Sequence, residues 1–444
     1  MTIKSMRGNV MTAFFIAFAF FAHGQETGEM PRGATLQECI DFALQNRGTV
    51  QQALIDEEIG ERDIAVALSG WYPQLSANAQ YNKNIIIPTA AIGDQVIRMG
   101  QNHTAALAFQ ADQQILNPQL IQASKAATHI RQRNAQNTES TLIHTIVEVS
   151  KGYYDILTTE EQLKIIDENI ARLSKQLADA RARYDSGLAD PTDYKRAQIS
   201  LSNAQADRKR NEEIRKYKYA YFKELLGLDT SDELQLSFDN AEMESEILLD
   251  TTTQLQYENR IEYRQLETVR QLQALNTRYH KWTFLPNVSA FYNYALDYRN
   301  NSFGDLLGTD YPRSVFGVTL SVPIFQGTRR TQEIRRSRLQ EERLNWDAVN
   351  LRNRIHSEYE LAMATYKAGL ADLRAAESNV ALSEEVYNTI KLQYDEGIKT
   401  YLDLMTAETD LRTTQLNYLG TLYAVLSGKL DVQRALGTIE IPKQ

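Results

Sequence analysis

The chain repeats itself at long range. Asn46-Arg47 recurs as Asn259-Arg260, and the run PQLSANAQY at 73–81 returns as PNVSAFYNY at 286–294, both 213 residues on. Further along, Tyr184-Asp185, Gly187, Asp193, Ala197, Leu201, Gln205 and Leu226-Gly227 return 210 residues later. They become Tyr394-Asp395, Gly397, Asp403, Ala407, Leu411, Gln415 and Leu436-Gly437. A near-constant offset over separated blocks means one structural unit duplicated in tandem, and a period this long excludes short solenoid repeats. It predicts a single body made of two halves, with repeat one over about 34–228, a connector over about 229–250 and repeat two over about 251–438.

Each half carries the same order of elements. From Thr35 to about Gly70 the apolar positions Leu36, Ile40, Ala43 and Leu44 follow a helical period, and Pro73 ends it. From Gln74 the residues alternate, with Leu75, Ala77, Ala79 and Tyr81 on one face and Gln74, Ser76, Asn78 and Gln80 on the other. The same alternation predicts strands at about 74–87 and 103–116 in the first repeat and about 286–298 and 314–325 in the second, with a loop over 88–100. The chain therefore carries four two-faced strands. After each pair comes a helix without interior proline, over about 118–184 and 327–394, each on the order of 100 Å long. Leu142, Ile146, Val149, Tyr153 and Ile156, then Leu163, Ile166, Ile170, Leu173, Leu177 and Ala180, recur at spacings of three and four, as left-handed coiled coils require. Turns at 186–191 and 396–401 reverse the chain into return helices that run to Leu226 and Leu436.

The first 24 residues read as a signal peptide: Lys4 and Arg7, an apolar run over 10–22, then Ala22-His23-Gly24 before a cut ahead of Gln25. The lone cysteine, Cys39, permits no disulfide within one chain. No later segment has the roughly 18 apolar residues of a membrane helix, so an exported chain of this kind is either soluble or crosses a membrane by strands. The formal charge of −9 becomes −11 once Lys4 and Arg7 are removed with the leader, which disfavours nucleic acid as a partner. The connector holds eight carboxylates and no Lys or Arg, and reads as a hydrated belt. There is no GxGxxG, GK[ST], HExxH or GxSxG motif, and the six histidines are scattered. Neither an enzyme nor a cofactor or metal site is expected.

Four amphipathic strands cannot close a membrane barrel alone, because the smallest bacterial barrels have about eight and an open edge leaves backbone groups unpaired in lipid. Two copies would supply eight strands with a filled interior, and three would supply twelve with room for a lumen. The alternative is a soluble periplasmic or secreted coiled-coil scaffold without a pore, its sheet exposed to water on one face.

In residues the chain resembles the TolC-like outer membrane efflux proteins, trimeric channel-tunnels of Gram-negative bacteria. The resemblance covers essentially the whole mature chain. It rests on Leu36-Gln37-Glu38-Cys39-Ile40 with Ala43-Leu44 and Asn46, on the strand entry Pro73-Gln74-Leu75, and on VSKGYYDILTTEEQL over 149–163. It rests also on the two Tyr-x-x-Gly turns, Tyr184 to Gly187 and Tyr394 to Gly397, each with an Asp six residues beyond the Gly, and on Ala435-Leu436-Gly437. The resemblance implies a mainly α fold with a membrane β-barrel: a homotrimer whose strands form one twelve-stranded outer membrane barrel and whose helices form a periplasmic α-helical barrel. It implies outer membrane lipid, a periplasmic adaptor protein and an inner membrane transporter as partners, and passive export through the lumen.

The resemblance also implies a gate. In this family the two helix-turn tips close the periplasmic mouth through bonds from a Tyr and a basic residue near the second tip to a Thr-Asp pair at the first. Here Tyr394 takes the Tyr place, Lys399 the basic place where Arg is familiar, and Thr192-Asp193 the acceptors. Asp403 matches a carboxylate that rings the constriction, while a second ring carboxylate is replaced by Thr406. Lys lacks the forked contact of Arg, so the closed state is expected to be held less rigidly. Tyr184, Gly187, Tyr394 and Gly397 mark the tips expected to dock the adaptor. Besides a gate role, Asp193 follows Asp190-Pro191 and favours a helix N-terminus on its own account.

Overall fold

The structure is a computed structural model that describes residues 33–187, 190–237, 243, 247–250 and 252–442. The expected leader and residues 238–242 and 244–246 of the acidic connector lie outside the described residues. Thr35 opens the first helix, α1 (Leu36–Asn46), through a capping box: its hydroxyl accepts from Glu38 N and the Glu38 carboxylate accepts from Thr35 N at 2.8 Å. The pattern read as one helix over 35–70 is divided. Arg47 is extended (φ −62°, ψ 126°) and α2 (Gly48–Leu68) begins after it.

That break explains why the Asn-Arg pair occurs twice. Two long antiparallel hairpins follow, α3 (Pro118–Asp185) with α4 (Pro191–Leu226) and, in the second half, α6 (Arg329–Asp395) with α7 (Tyr401–Leu436). Each return helix ends on a left-handed glycine, Gly227 (φ 79°) or Gly437 (φ 71°). A Cβ on Gly227 would lie 2.5 Å from Asn46 O, and one on Gly437 2.6 Å from Asn259 O. The glycines let each return helix close onto the Asn-Arg backbone of its own half. Arg47 then pairs with Glu148 at 2.7 Å and Arg260 with Glu358 at 3.0 Å, acids that are themselves 210 residues apart. In the second half Arg260 (φ −71°, ψ 129°) leads into α5 (Ile261–Trp282).

The hairpins meet where α3 lies against α7. At this waist Val149, Tyr153, Ile156 and Leu157 of α3 join Phe222 and Leu226 of α4, Tyr366 of α6, Val425 and Leu426 of α7, and Cys39 and Ala43 of α1. Each fully buried side chain of the size of Phe222 or Leu426 contributes roughly 1.5–3 kcal/mol. Burial pushes the Cys39 thiol up to about 12, which leaves it unreactive. The three-four spacing on α3 holds: Ile146, Val149, Tyr153, Ile156, Leu163, Ile166, Leu173 and Ala180 are all buried. The connector is more than a hydrated run. Leu236 and Met243 are buried in the waist, Ser237 N donates to Ala34 O at 2.9 Å, and Tyr153 and Tyr366 donate their hydroxyls to Ser237 O and Ile247 O.

Above the helices one antiparallel sheet runs in the order β1-β4-β5-β6, formed by β1 (Gln74–Lys83), β4 (His103–Leu116), β5 (Asn287–Asn300) and β6 (Asp310–Ser321). The segment expected as a loop over 88–100 contains a separate hairpin, β2 (Thr89–Ile92) with β3 (Gln95–Arg98), turned on Gly93 at φ 65°. Thus the described residues hold six strands, four of them in the main sheet. β1 stops at Lys83, four residues short of the expected end, and β6 begins at Asp310 and includes Pro312. A strand at the sheet edge tolerates the missing N–H of proline, and Pro323 stops the strand short of the expected 325. Register places every apolar set on one face: Ala77 opposite Phe109, Phe109 opposite Tyr294, Tyr292 opposite Phe316, and Ala290 opposite Val318. Leu75 (80%), Phe316 (71%) and Leu320 (63%) are exposed on it. The other face carries Gln74, Asn78, Gln110, Asp112, Asn293 and Thr319.

Candidate functional site

The two helical tips have the same construction. At the first, Gly187 (φ 73°) donates its N–H to Tyr184 O at 2.9 Å; at the second, Gly397 (φ 77°) donates to Tyr394 O at 3.0 Å. Glycine allows the left-handed residue that turns a helix end back on itself. The two tyrosines are used differently. Tyr184 stays exposed and packs on Tyr194 with ring centroids 5.0 Å apart. Tyr394 is buried with Tyr387, Tyr401, Leu404 and Ala197, and the Arg183 guanidinium lies 4.7 Å from its ring centroid. Burial raises the pKa of the Tyr394 phenol, the Arg183 cation opposes the rise, and the Asp193 carboxylate adds to it.

The remaining gate residues from the sequence sit at two helix N-termini. Asp190 caps α4 and accepts from Thr192 N at 2.7 Å and from Thr192 Oγ1 at 2.6 Å, so the Thr192 hydroxyl donates locally. Asp193 lies in the first turn of the same helix. Thr400 and Asp403 form a capping box at α7, in which Asp403 accepts from Thr400 N at 3.0 Å and Thr400 Oγ1 at 2.8 Å. These bonds from Thr400, helped by the charge of Lys399, hold the Asp403 carboxyl below its ordinary pKa. Lys399 is exposed and makes no ion pair among the described residues. Asp193 is thus brought near Tyr394 within one subunit, whereas Thr192, Lys399 and Asp403 are engaged locally or face outward.

A buried polar cluster lies about 10 Å along α7 from its first residue, at ~1.5 Å per residue. Glu408 is 2% exposed and ties α7 to α3. It accepts from Asn169 Nδ2 at 3.1 Å, from Arg172 Nε at 3.1 Å and from Gln176 Nε2. The Tyr387 ring on α6 sits 5.9 Å from the Arg172 guanidinium. Burial raises the Glu408 pKa above the ordinary carboxylate value in spite of the Gln176, Arg172 and Asn169 bonds that lower it. Gln176 Oε1 and the Tyr401 hydroxyl are buried with no hydrogen-bond partner among the described residues. Sequence reading missed this cluster. The signal was present: Tyr401, Leu404, Glu408 and Leu411 step by three, four and three, which puts a carboxylate at a core position of the coiled coil.

Among the described residues no group of three or more His, Cys, Asp or Glu is arranged to hold a metal ion, and no helix is long and apolar enough to cross a membrane. The outer membrane efflux protein family model matches residues 39–227 and 258–438, one match in each half. The chain belongs to the outer membrane efflux protein family. It is an outer membrane efflux protein and not a pore-less scaffold. Among curated relatives it is similar to the outer membrane protein TolC of Vibrio cholerae, at 21% identity over 91% of both chains. It is also similar to the outer membrane efflux protein BepC of Brucella suis, at 21% identity over 93% of this chain and 87% of that one. In fold it matches the crystal structure of the outer membrane protein VceC from Vibrio cholerae, with TM-score 0.72 at 15% identity, over 90% of this chain and 96% of the other.

Proposed function

We propose that this efflux protein is the exit duct of a tripartite efflux or secretion system, passing cargo passively from periplasm to exterior once an adaptor and an inner membrane transporter are engaged. The observation that carries the reading is the four-stranded sheet, whose apolar face is exposed and whose edge strands β1 and β6 have no partner on their outer sides among the described residues. An edge in lipid leaves N–H and C=O groups unsatisfied at several kcal/mol each. Three copies, β6 of one beside β1 of the next, seal those edges in a barrel of about twelve strands, wide enough for a lumen. The polar strand faces then line the lumen.

In this reading the tips at Gly187 and Gly397 receive the adaptor, and Tyr394, Lys399, Thr192, Asp193 and Asp403 form the periplasmic gate. Within one subunit the Thr192 and Asp403 side chains are taken up by helix capping. Lys399, exposed at the second tip, therefore reaches its acceptor across a subunit boundary. Single-channel recording in planar bilayers tests the duct, and a folded trimer that never conducts overturns it. Asp403→Ala is expected to weaken block by divalent cations, and Lys399→Ala to raise basal conductance. Unchanged behaviour in both sinks these gate assignments while leaving the duct in place.

A further inference from the structure

In the gate reading above, opening separates the second hairpin of each subunit from the first, and within one subunit the two hairpins touch where α3 lies against α7. Among the described residues three ion pairs span the hairpins. Lys151 with Asp431 at 2.7 Å and Arg412 with Asp207 at 3.2 Å are partly exposed on both partners, whereas the carboxylate of Glu408 is buried. Exposed pairs exchange readily with water and resist little. We propose that Glu408 is the positioning residue of the closed state: a latch that holds the second hairpin against the first through Asn169, Arg172 and Gln176, and that must leave its site for the duct to open. The proposal rests on the channel reading above.

The chemistry of the site makes the latch hold in two protonation states. Ionised, Glu408 accepts from three donors on α3. Protonated, it keeps acceptor capacity and gains an O–H donor, which Gln176 Oε1, buried without a partner, accepts once its amide turns over. Arg172 on α3, Tyr387 on α6 and Tyr401 on α7 are charged or titratable groups that face it, and one turn along α7 Arg412 pairs with Asp207 of α4. Because burial favours the protonated form inside the latch and water restores the ordinary carboxylate value outside it, the latched state binds the proton more tightly. Acidification therefore favours closure.

The test is basal conductance of the purified full-length trimer in planar bilayers, without partners. Glu408→Ala leaves three donors unpaired in the closed state and is expected to raise the open fraction about 10- to 100-fold, the factor corresponding to loss of hydrogen bonds to a charged group. Glu408→Gln mimics the protonated side chain, so it is expected to conduct at the level of the acidified parent at every pH and to lose the parent's fall in conductance on acidification. Packing alone would leave the isosteric Glu408→Gln with the parent's response to pH, whereas the latch removes that response. To guard against misfolding, Asn169→Cys with Glu408→Cys is oxidised to a disulfide: conductance should fall, and recover on reduction. Glu408→Ala trimers of normal melting temperature and parental conductance overturn the latch, as does a confirmed disulfide that leaves conductance unchanged. A parent that never conducts overturns the duct itself, which is a distinguishable failure.

Discussion

Gly227→Ala offers a sharp test of how each half of the chain closes. Gly227 sits at φ 79°, and the added methyl would lie 2.5 Å from Asn46 O, 2.8 Å from Asn46 C and 2.9 Å from Arg47 Cα, all backbone atoms that cannot rotate away. Left-handed backbone costs an L-residue about 1–2 kcal/mol. Overpacking a filled site adds about 1–3 kcal/mol. Gly187 separates the two effects, because it has nearly the same φ, 73°, with nothing within 4 Å of the place a methyl would take. Gly187→Ala should therefore show only the first cost, and Gly227→Ala about 1–3 kcal/mol more. Gly437→Ala, 2.6 Å from Asn259 O, should match Gly227→Ala, since it repeats the same junction. Thermal unfolding by circular dichroism in detergent ranks the three variants, and hydrogen exchange at residues 42–50 and 256–264 locates the loosening. If Gly187→Ala and Gly227→Ala destabilise equally, the close approach of the return helix to the Asn-Arg backbone is not what fixes this junction.

Val318→Lys places a charge on the apolar sheet face beside Ala290 and should cost about 2–4 kcal/mol at the membrane midplane, whereas Thr319→Lys on the opposite face should be near neutral. Yield of folded protein in bilayers compares them, and equal yields would reverse the assignment of faces. Arg260 is 4% exposed and bonds Glu262 and Glu358, so Arg260→Ala should destabilise by about 1.5–3 kcal/mol, more than Arg47→Ala at the less buried duplicate pair. Burial alone would raise the Glu262 pKa, but the Arg260 bond and charge, the Glu262 backbone N–H and the Arg434 charge together outweigh it and the folded value is lowered. The sign follows: this stability is complete above the ordinary carboxylate range and is lost as pH falls through the lowered value. Acid titration of unfolding should show that loss in the parent and a smaller one in Arg260→Ala.

The order of residues alone determined whatever depends on neighbours a few positions apart. Alternation at period two marked the four sheet strands, spacing of three and four marked the long hairpins, and the return helices end at Leu226 and Leu436 as the sequence placed them. The Gly93-Asp94 turn between short apolar runs is a legible hairpin signal that reading the segment as a loop overlooks. Tertiary structure decided what depends on residues hundreds of positions apart. Arg47 breaks a pattern that reads as continuous helix because Gly227 and Glu148 meet it there. Leu236 and Met243 of the acidic connector lie in the waist because they find a core there. Pro312 belongs to a strand because β6 is an edge. Glu408 looks like one more hydrated acid on a helix until α3 is laid against α7, and then it is a carboxylate out of reach of water. Local periodicity is written in the backbone's own repeat, whereas burial of a charge is set by which helix arrives opposite it.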